Sequence, residues 1–378
     1  MGPLRATWLR RAGVAVLLLL IGVIEPWTLG QEALGFAQSG QQNPALTRRP
    51  PQKTPSPLVP EGKIKLDVMV DDAAGKPVIG LEPWDFRILD NNEPRKVMSF
   101  HSYDGAQVKP DPPVEIILVV DTVNLQFQQL SFARGQIDEF LRQNGGRLKQ
   151  PVTLVLLNEK GIRLQPRPST DGNAIATVLD GINGAVRVLN EAMGGEGQME
   201  RFQVSQRALD NIAQNEARKP GRKLLIWVGW GWPMLNRPAD GYTERQQKRV
   251  FDAIVEMSAA LREARMTLYS VAPAGVYGPN PIQYQGFLKG VKRYQDADFG
   301  NLALKVLITQ TGGKIMTPDN DIVSQINRCI EDANAFYQIS FDPPAVERGD
   351  EYHDLKVQVD KPGATVRTTT GYYNQPAN

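Results

Sequence analysis

The chain is nearly without cysteine and histidine. Cys329 is the single cysteine of 378 residues, and His101 and His353 are the two histidines. One cysteine excludes an intramolecular disulfide framework. Cys329 falls on a helix expected over 319–333, where the ordinary reading of a cysteine is a buried small apolar residue. Both histidines lie in β-rich flanks, which argues against a Cys–His nucleophile, and no His/Cys cluster has zinc spacing. An excess of either charge is also missing: 43 basic residues stand against 41 acidic ones, for a net charge of +2. No basic stripe interleaved with aromatics is present, so a nucleic-acid partner is not expected. Gly194-Gly-Glu-Gly197 follows a helix and lacks a Gly-Lys-Ser/Thr ending, so it is not a phosphate loop. Ser131 and Ser205 lack a nucleophile-elbow context. No two carboxylates stand out for glycosidase-like work. The sequence therefore points away from an enzyme, with a hydrolase as the less favoured alternative.

What is present begins with a targeting pattern. Arg5, Arg10 and Arg11 precede an apolar core from Ala12 to Ile24, short for a membrane span and suited to a signal peptide. Gly35-Phe36-Ala37 offers a cleavage site, giving a signal peptide over 1–37 and an exported protein, periplasmic or secreted. An uncleaved N-terminal anchor is the alternative, and the only expected contact with a membrane. Residues 38–62 are rich in Gln and Pro, with Pro50, Pro51, Pro55, Pro57 and Pro60, and read as a disordered linker.

Residues 63–110 read as β structure. Lys63-Ile-Lys-Leu-Asp-Val-Met-Val70 alternates with period two, and Asp90-Asn91-Asn92 is a hairpin turn. Residues 111–342 alternate strands with helices, the pattern of a doubly wound, mainly parallel α/β sheet. The expected strands are 115–120, 152–157, 223–228, 266–271 and 336–341, with a short hairpin partner at 162–165. Helices are expected near 127–142, 172–190, 201–217, 243–264, 299–311 and 319–333. Gly312-Gly313 signals a helix C-cap. Residues 343–378 return to alternation, as in Asp354-Leu-Lys-Val-Gln-Val359, and are expected to pack with 63–110 as one small flanking β domain.

Val114-Glu-Ile-Ile-Leu-Val-Val-Asp121 is the most informative stretch. A short β-branched run reads as a strand buried on both faces. The carboxylate at its C-terminal tip sits where open α/β sheets bind ligands. Its plainest role is to bond loop amides or cap the following helix.

Several segments resemble the exported bacterial proteins, abundant in acidobacteria, that carry a domain related to the von Willebrand factor type A domain. They are Asp67-Val-Met-Val-Asp-Asp-Ala-Ala-Gly-Lys-Pro-Val78, Gly80-Leu-Glu-Pro-Trp-Asp-Phe86, Lys96-Val-Met-Ser-Phe100, Thr311-Gly-Gly313, Tyr337-Gln-Ile-Ser-Phe-Asp-Pro-Pro344, Tyr352-His-Asp-Leu-Lys-Val357 and Gly371-Tyr-Tyr373. The resemblance spans about 63–374. It implies a type A, Rossmann-like sheet and raises the question of a divalent cation: Mg²⁺, Mn²⁺ or Ca²⁺. Type A domains hold one with an Asp-x-Ser-x-Ser loop, a Thr from a second loop and an Asp after a later strand, an all-oxygen set suited to hard cations. Here the first loop reads Asp121-Thr-Val-Asn-Leu125. Asp121 matches, Val123 and Leu125 replace both serines, and Asn124 is off register. Ser169-Thr170-Asp171 resembles the Thr loop, and Trp230 replaces the later acid. The remaining ligand set is Asp121, Asn124 and Thr170, a degenerate site, and no cofactor is the favoured expectation.

The loops after the third and fourth long strands carry Trp230, Trp232 and Tyr242, then Tyr277, Tyr284, Phe287 and Tyr294. Long aromatic loops in a compact domain suit a protein interface; the alternative is that they fold inward over the sheet. The sequence thus predicts an exported protein-binding or assembly module, its partner a protein of unknown identity. Trp230, Trp232, Tyr277 and Tyr284 are the expected contacts. A cation-dependent adhesion module using Asp121 is the alternative.

Overall fold

The computed structural model describes residues 63–374, apart from 106, 182–194, 236–240, 275–282 and 346–348. The expected signal peptide and linker, Tyr277, Gly194 and most of the second half of the helix expected over 172–190 lie outside these residues. Among the described residues, no helix is long and apolar enough to cross a membrane.

The chain opens with strands β1 (Ile64–Asp71), β2 (Phe86–Asp90), β3 (Glu93–Arg95), β4 (Ser99–Tyr103) and β5 (Glu115–Asp121). Helix α1 (Phe127–Gly146), strands β6 (Arg147–Asn158), β7 (Gly161–Leu164) and β8 (Ser169–Asp171), and helices α2 (Gly172–Asp180) and α3 (Gly195–Ala217) follow. Next come β9 (Lys223–Val228), α4 (Glu244–Glu263), β10 (Met266–Val271), α5 (Leu304–Gln310) and α6 (Ile322–Asn334). Strands β11 (Phe336–Phe341), β12 (Glu351–Val359), β13 (Thr365–Arg367) and β14 (Gly371–Asn374) close the chain.

The described residues form three sheets. One orders its strands β13-β1-β11-β4, a second β14-β12-β2-β3, and the third β10-β9-β5-β6-β7 with β8 on β6. This corrects the expected fold class. Among the described residues, three strand pairings are parallel, β10–β9, β9–β5 and β5–β6. Eight are antiparallel. The architecture is therefore β-rich and built on antiparallel pairing, and a doubly wound, mainly parallel sheet does not describe it. The strand at 336–341 shows why. Its apolar run reads as a fifth parallel strand, but β11 runs antiparallel between β1 and β4, with Leu66 opposite Ile339 and Phe100 on its other side. An apolar run records burial on both faces and carries no information on strand direction or partner.

The two four-stranded sheets share a core. Leu66, Val68, Ile339 and Phe341 from one meet Ile88, Leu355, Val357 and Tyr372 from the other. Tyr337 pins the segment between β1 and β2, donating to Val78 O at 2.9 Å and accepting from Leu81 N at 3.1 Å. In the third sheet all seven residues of β5 are buried, because apolar side chains pack on both faces. Ile116, Leu118 and Val120 meet α1, α2 and α6 residues such as Ile137, Leu179 and Ile326. Ile117 and Val119 meet α3, α4 and α5 residues such as Leu209, Ile254 and Leu307. Regular helix in α1 ends at Arg142, since Gln143, Asn144 and Gly145 leave helical φ/ψ. At the end of α5, Gly312 has φ +78° and Gly313 N–H donates to Ile308 O at 2.9 Å, a Schellman closure. A Cβ on Gly313 would lie 1.6 Å from Leu268 O, so only glycine fits there.

Buried charges join the layers. Arg367 of β13 bonds Asp71 of β1 at 2.8 Å and Asp332 of α6 at 2.7 Å. Asp332 also accepts from Tyr269 OH of β10 at 2.8 Å and from Lys314 Nζ at 3.1 Å.

Candidate functional site

β5 ends between β9 and β6, with Val120 opposite Val228 and Asp121 opposite Leu157. The Asp121 side chain is fully buried at this tip. Its Oδ1 accepts from the backbone N–H groups of Val123 and Asn124, both at 2.9 Å. Its Oδ2 accepts from Asn124 Nδ2 and from Trp227 Nε1, both at 2.8 Å. Burial drives the carboxyl pKa up, against the pull of these bonds from Asn124, Trp227 and Val123. Asn124 Nδ2 also reaches Ser205 Oγ of α3 at 3.1 Å. The backbone of the loop is fixed as well: Thr122 Oγ1 donates to Leu157 O at 2.7 Å. Asp121 bonds loop amides and does not cap α1, whose first turn is closed by Gln126 N–H donating to Gln129 Oε1 at 3.0 Å.

These residues do not fit a divalent cation. A hard cation needs several oxygen lone pairs converging on one point, whereas four N–H groups already converge on the two oxygens of Asp121. Asn124 lies beside Asp121 as a donor. Turning its amide over would set two acceptors against each other, so its Oδ1 stays buried without a hydrogen bond. Val123 and Leu125, in the two serine positions, are core residues. Thr170 is elsewhere. Ser169 of β8 pairs with Val152, and Val152 lies opposite Ile116, five residues before Asp121 along β5. At about 3.3 Å per residue, that separates Thr170 from the tip by roughly 16 Å, toward the other edge of the sheet. The ligand set Asp121, Asn124 and Thr170 is therefore corrected: sequence spacing placed a Thr loop after β6, but the chain turned back along β6 before reaching it.

The aromatic residues divide. Trp232 is 3% exposed, sets its ring edge-on to Trp227 at 5.2 Å, and donates Nε1–H to Leu302 O at 3.1 Å. It is a core residue and does not present an exposed anchor, because the chain just after β9 turns inward against Leu302 and Trp227. Trp230 is half-buried and packs against the core under α1 and α6. Tyr284 is half-buried, with Lys305 Nζ 5.7 Å from its ring centre. Tyr277 lies outside the described residues. Phe127, at the first position of α1, is 64% exposed. The sequence pattern hid it, since Phe127, Leu130, Ile137 and Leu141 share one helical stripe and an apolar stripe reads as core. Cys329 is fully buried, and burial raises its thiol pKa far above the ordinary range.

Neither a protein-family model nor a curated protein matches the chain. Among solved structures it is similar to the pilus adhesin SpaC from Lactobacillus rhamnosus GG, at 11% identity and a TM-score of 0.33, over 79% of this chain and 49% of the adhesin. It is also similar to the N-terminal domain of TFIIH p34, at 12% identity and a TM-score of 0.29, over 57% of this chain and 96% of that one. The chain thus spans about half the length of the adhesin (49%), and neither likeness bears on what it binds.

Proposed function

We propose that this protein is an exported, non-catalytic protein-binding module whose contact surface is the loop edge beyond the C-terminal ends of β5, β9 and β10. The observation that carries this reading is Phe127, 64% exposed where α1 leaves that edge. Because β5 and β9 are neighbours in register, the loop leading to Phe127 and the loop carrying Trp230 emerge side by side. A large ring left in water beside a second, half-buried one suits the apolar centre of a protein interface. The positive, apolar N-terminus and the resemblance to exported type A-related proteins support export. The cation-dependent alternative draws no support from Asp121, whose oxygens are engaged.

The test is site-specific photo-crosslinking in the native host, with the cross-linker at 127 and, as a control, at Val178, an exposed residue of α2. A discrete adduct at 127, absent at 178 and lost on Trp230→Ala, is the expected result. Equal labelling at both sites, or none at 127, means the edge is not the contact surface. Phe127→Ala should itself leave stability within about 0.5 kcal/mol, as surface changes do.

A further inference from the structure

A cavity lies away from the loop edge, among residues that the proposed contact surface does not use. Where β1, α4, β10 and β14 converge, they leave a cavity of ≈ 50 Å³ for the centres of water-sized spheres, lined by Lys65, Ser258, Arg262, Thr311, Tyr352 and Thr369 among others. Roughly 10–15 Å³ of such space holds one water, so the cavity accepts a group of about three to five heavy atoms.

Its charge is unbalanced. Asp67 and Arg265 also line it, but they pair with each other through two hydrogen bonds. Lys65 and Arg262 are left, and among the described residues neither makes an ion pair. Arg262 is the informative one. Its Nε is fully buried and has no hydrogen-bond partner. Burial lowers its pKa; Glu263, the adjacent acid, and Tyr372 act on it only through space. A place in the last turn of α4 gives the cation a favourable helix dipole. The dipole is no hydrogen-bond acceptor: among the described residues the Nε–H remains unpaired, whereas buried charged donors are ordinarily paired.

We propose that this cavity binds a small oxyanion, a carboxylate or a phosphate group, on the Arg262 guanidinium. A guanidinium offers a planar fork that matches two oxygens of either group. Ser258 and Thr369 add hydroxyls to the lining, and Lys65 adds charge at the β1 side.

Thermal melting of the full chain in sodium phosphate and in sodium acetate, against sodium chloride at equal ionic strength, tests it. A ligand that binds only the folded state raises the melting point by mass action, by about 2–4 °C at roughly ten times its Kd. The expected result is such a rise with phosphate or acetate, the responding anion naming the class, and its loss in Arg262→Met. Because Arg262→Met could disturb folding, ¹⁵N spectra of the wild-type arginine Nε–H groups give a second reading. One buried Nε–H signal should move saturably with the same anion and stay fixed in chloride. If neither anion raises the melting point and no Nε–H signal moves, or if a folded Arg262→Met responds as wild type does, the proposal is overturned.

Discussion

The indole N–H of Trp227, on β9, donates to Oδ2 of Asp121, at the tip of β5, at 2.8 Å. This bond crosses two neighbouring parallel strands and occupies a carboxylate lone pair at the position where a sheet of this kind would offer it to a ligand.

Removing Asp121 orphans four donors at once: two backbone N–H groups, Asn124 Nδ2 and Trp227 Nε1. Asp121→Ala should cost about 3–5 kcal/mol, and Trp227→Phe, which removes one donor and keeps a ring, about 1–3 kcal/mol. Urea unfolding of both variants checks the order; equal costs would show that the bonds to Asp121 are not shared as described. The pH dependence has a definite sign. A raised carboxyl pKa means the folded state holds its proton longer than the unfolded state, so the group's contribution is fullest below its unfolded value of about 3.9 and falls as pH rises through the folded one. The deficit of Asp121→Asn relative to wild type should therefore shrink as pH rises from about 3 upward.

Millimolar Mg²⁺, Mn²⁺ or Ca²⁺ should leave the melting point where EDTA leaves it. Differential scanning calorimetry decides this, and a cation-dependent rise that vanishes in Asp121→Ala would restore the metal site that the bonding around Asp121 argues against.

Lys223 lies almost fully buried at the start of β9. Burial lowers its pKa to about 8, against the opposing pull of Glu216 and Glu115. The unfolded chain keeps that proton up to about 10.4. Between these values the unfolded state binds more protons, so this group makes stability rise with pH over roughly 8–10.5. Lys223→Met should flatten the rise relative to wild type, which chemical unfolding at pH 8 and 10 will show.

Arg367 grips Asp71 and Asp332 together. Burial pushes the Asp332 carboxyl up, but Arg367, Lys314 and Tyr269 outweigh it and hold its pKa below the ordinary value. Arg367→Gln leaves two buried carboxylates short of a partner and should cost about 3–5 kcal/mol. Because a depressed pKa contributes stability above the unfolded value and loses it as pH falls through the folded one, the variant's deficit should narrow below about pH 4. A deficit that stays constant to pH 2 would remove Asp332 from the explanation.

Much of the element list was legible. The all-buried run 115–121, the alternation of 354–359 and the double glycine at 312–313 each carry a local signal, because period, burial and φ are local properties. The hidden parts depend on partners distant in sequence. Trp232 and Phe127 are both aromatic, and nothing in their neighbours says that one is 3% and the other 64% exposed. The Thr170 assignment failed for the same reason: β8 doubles back on β6 through pairing that a linear spacing does not record. Arg262 carries no sequence signal at all, since a basic residue in the last turn of a helix is ordinary.

The sequence by itself determined where most strands and helices form, which residues are apolar enough to be buried, and that one cysteine permits no internal disulfide. Tertiary structure alone decided that β11 joins an antiparallel sheet, that Asp121 faces four N–H donors, and that Arg262 borders a cavity whose acid, Asp67, is already paired with Arg265. Hydrogen-bond partners and charge balance are set by segments up to hundreds of residues apart, brought together only when the core closes.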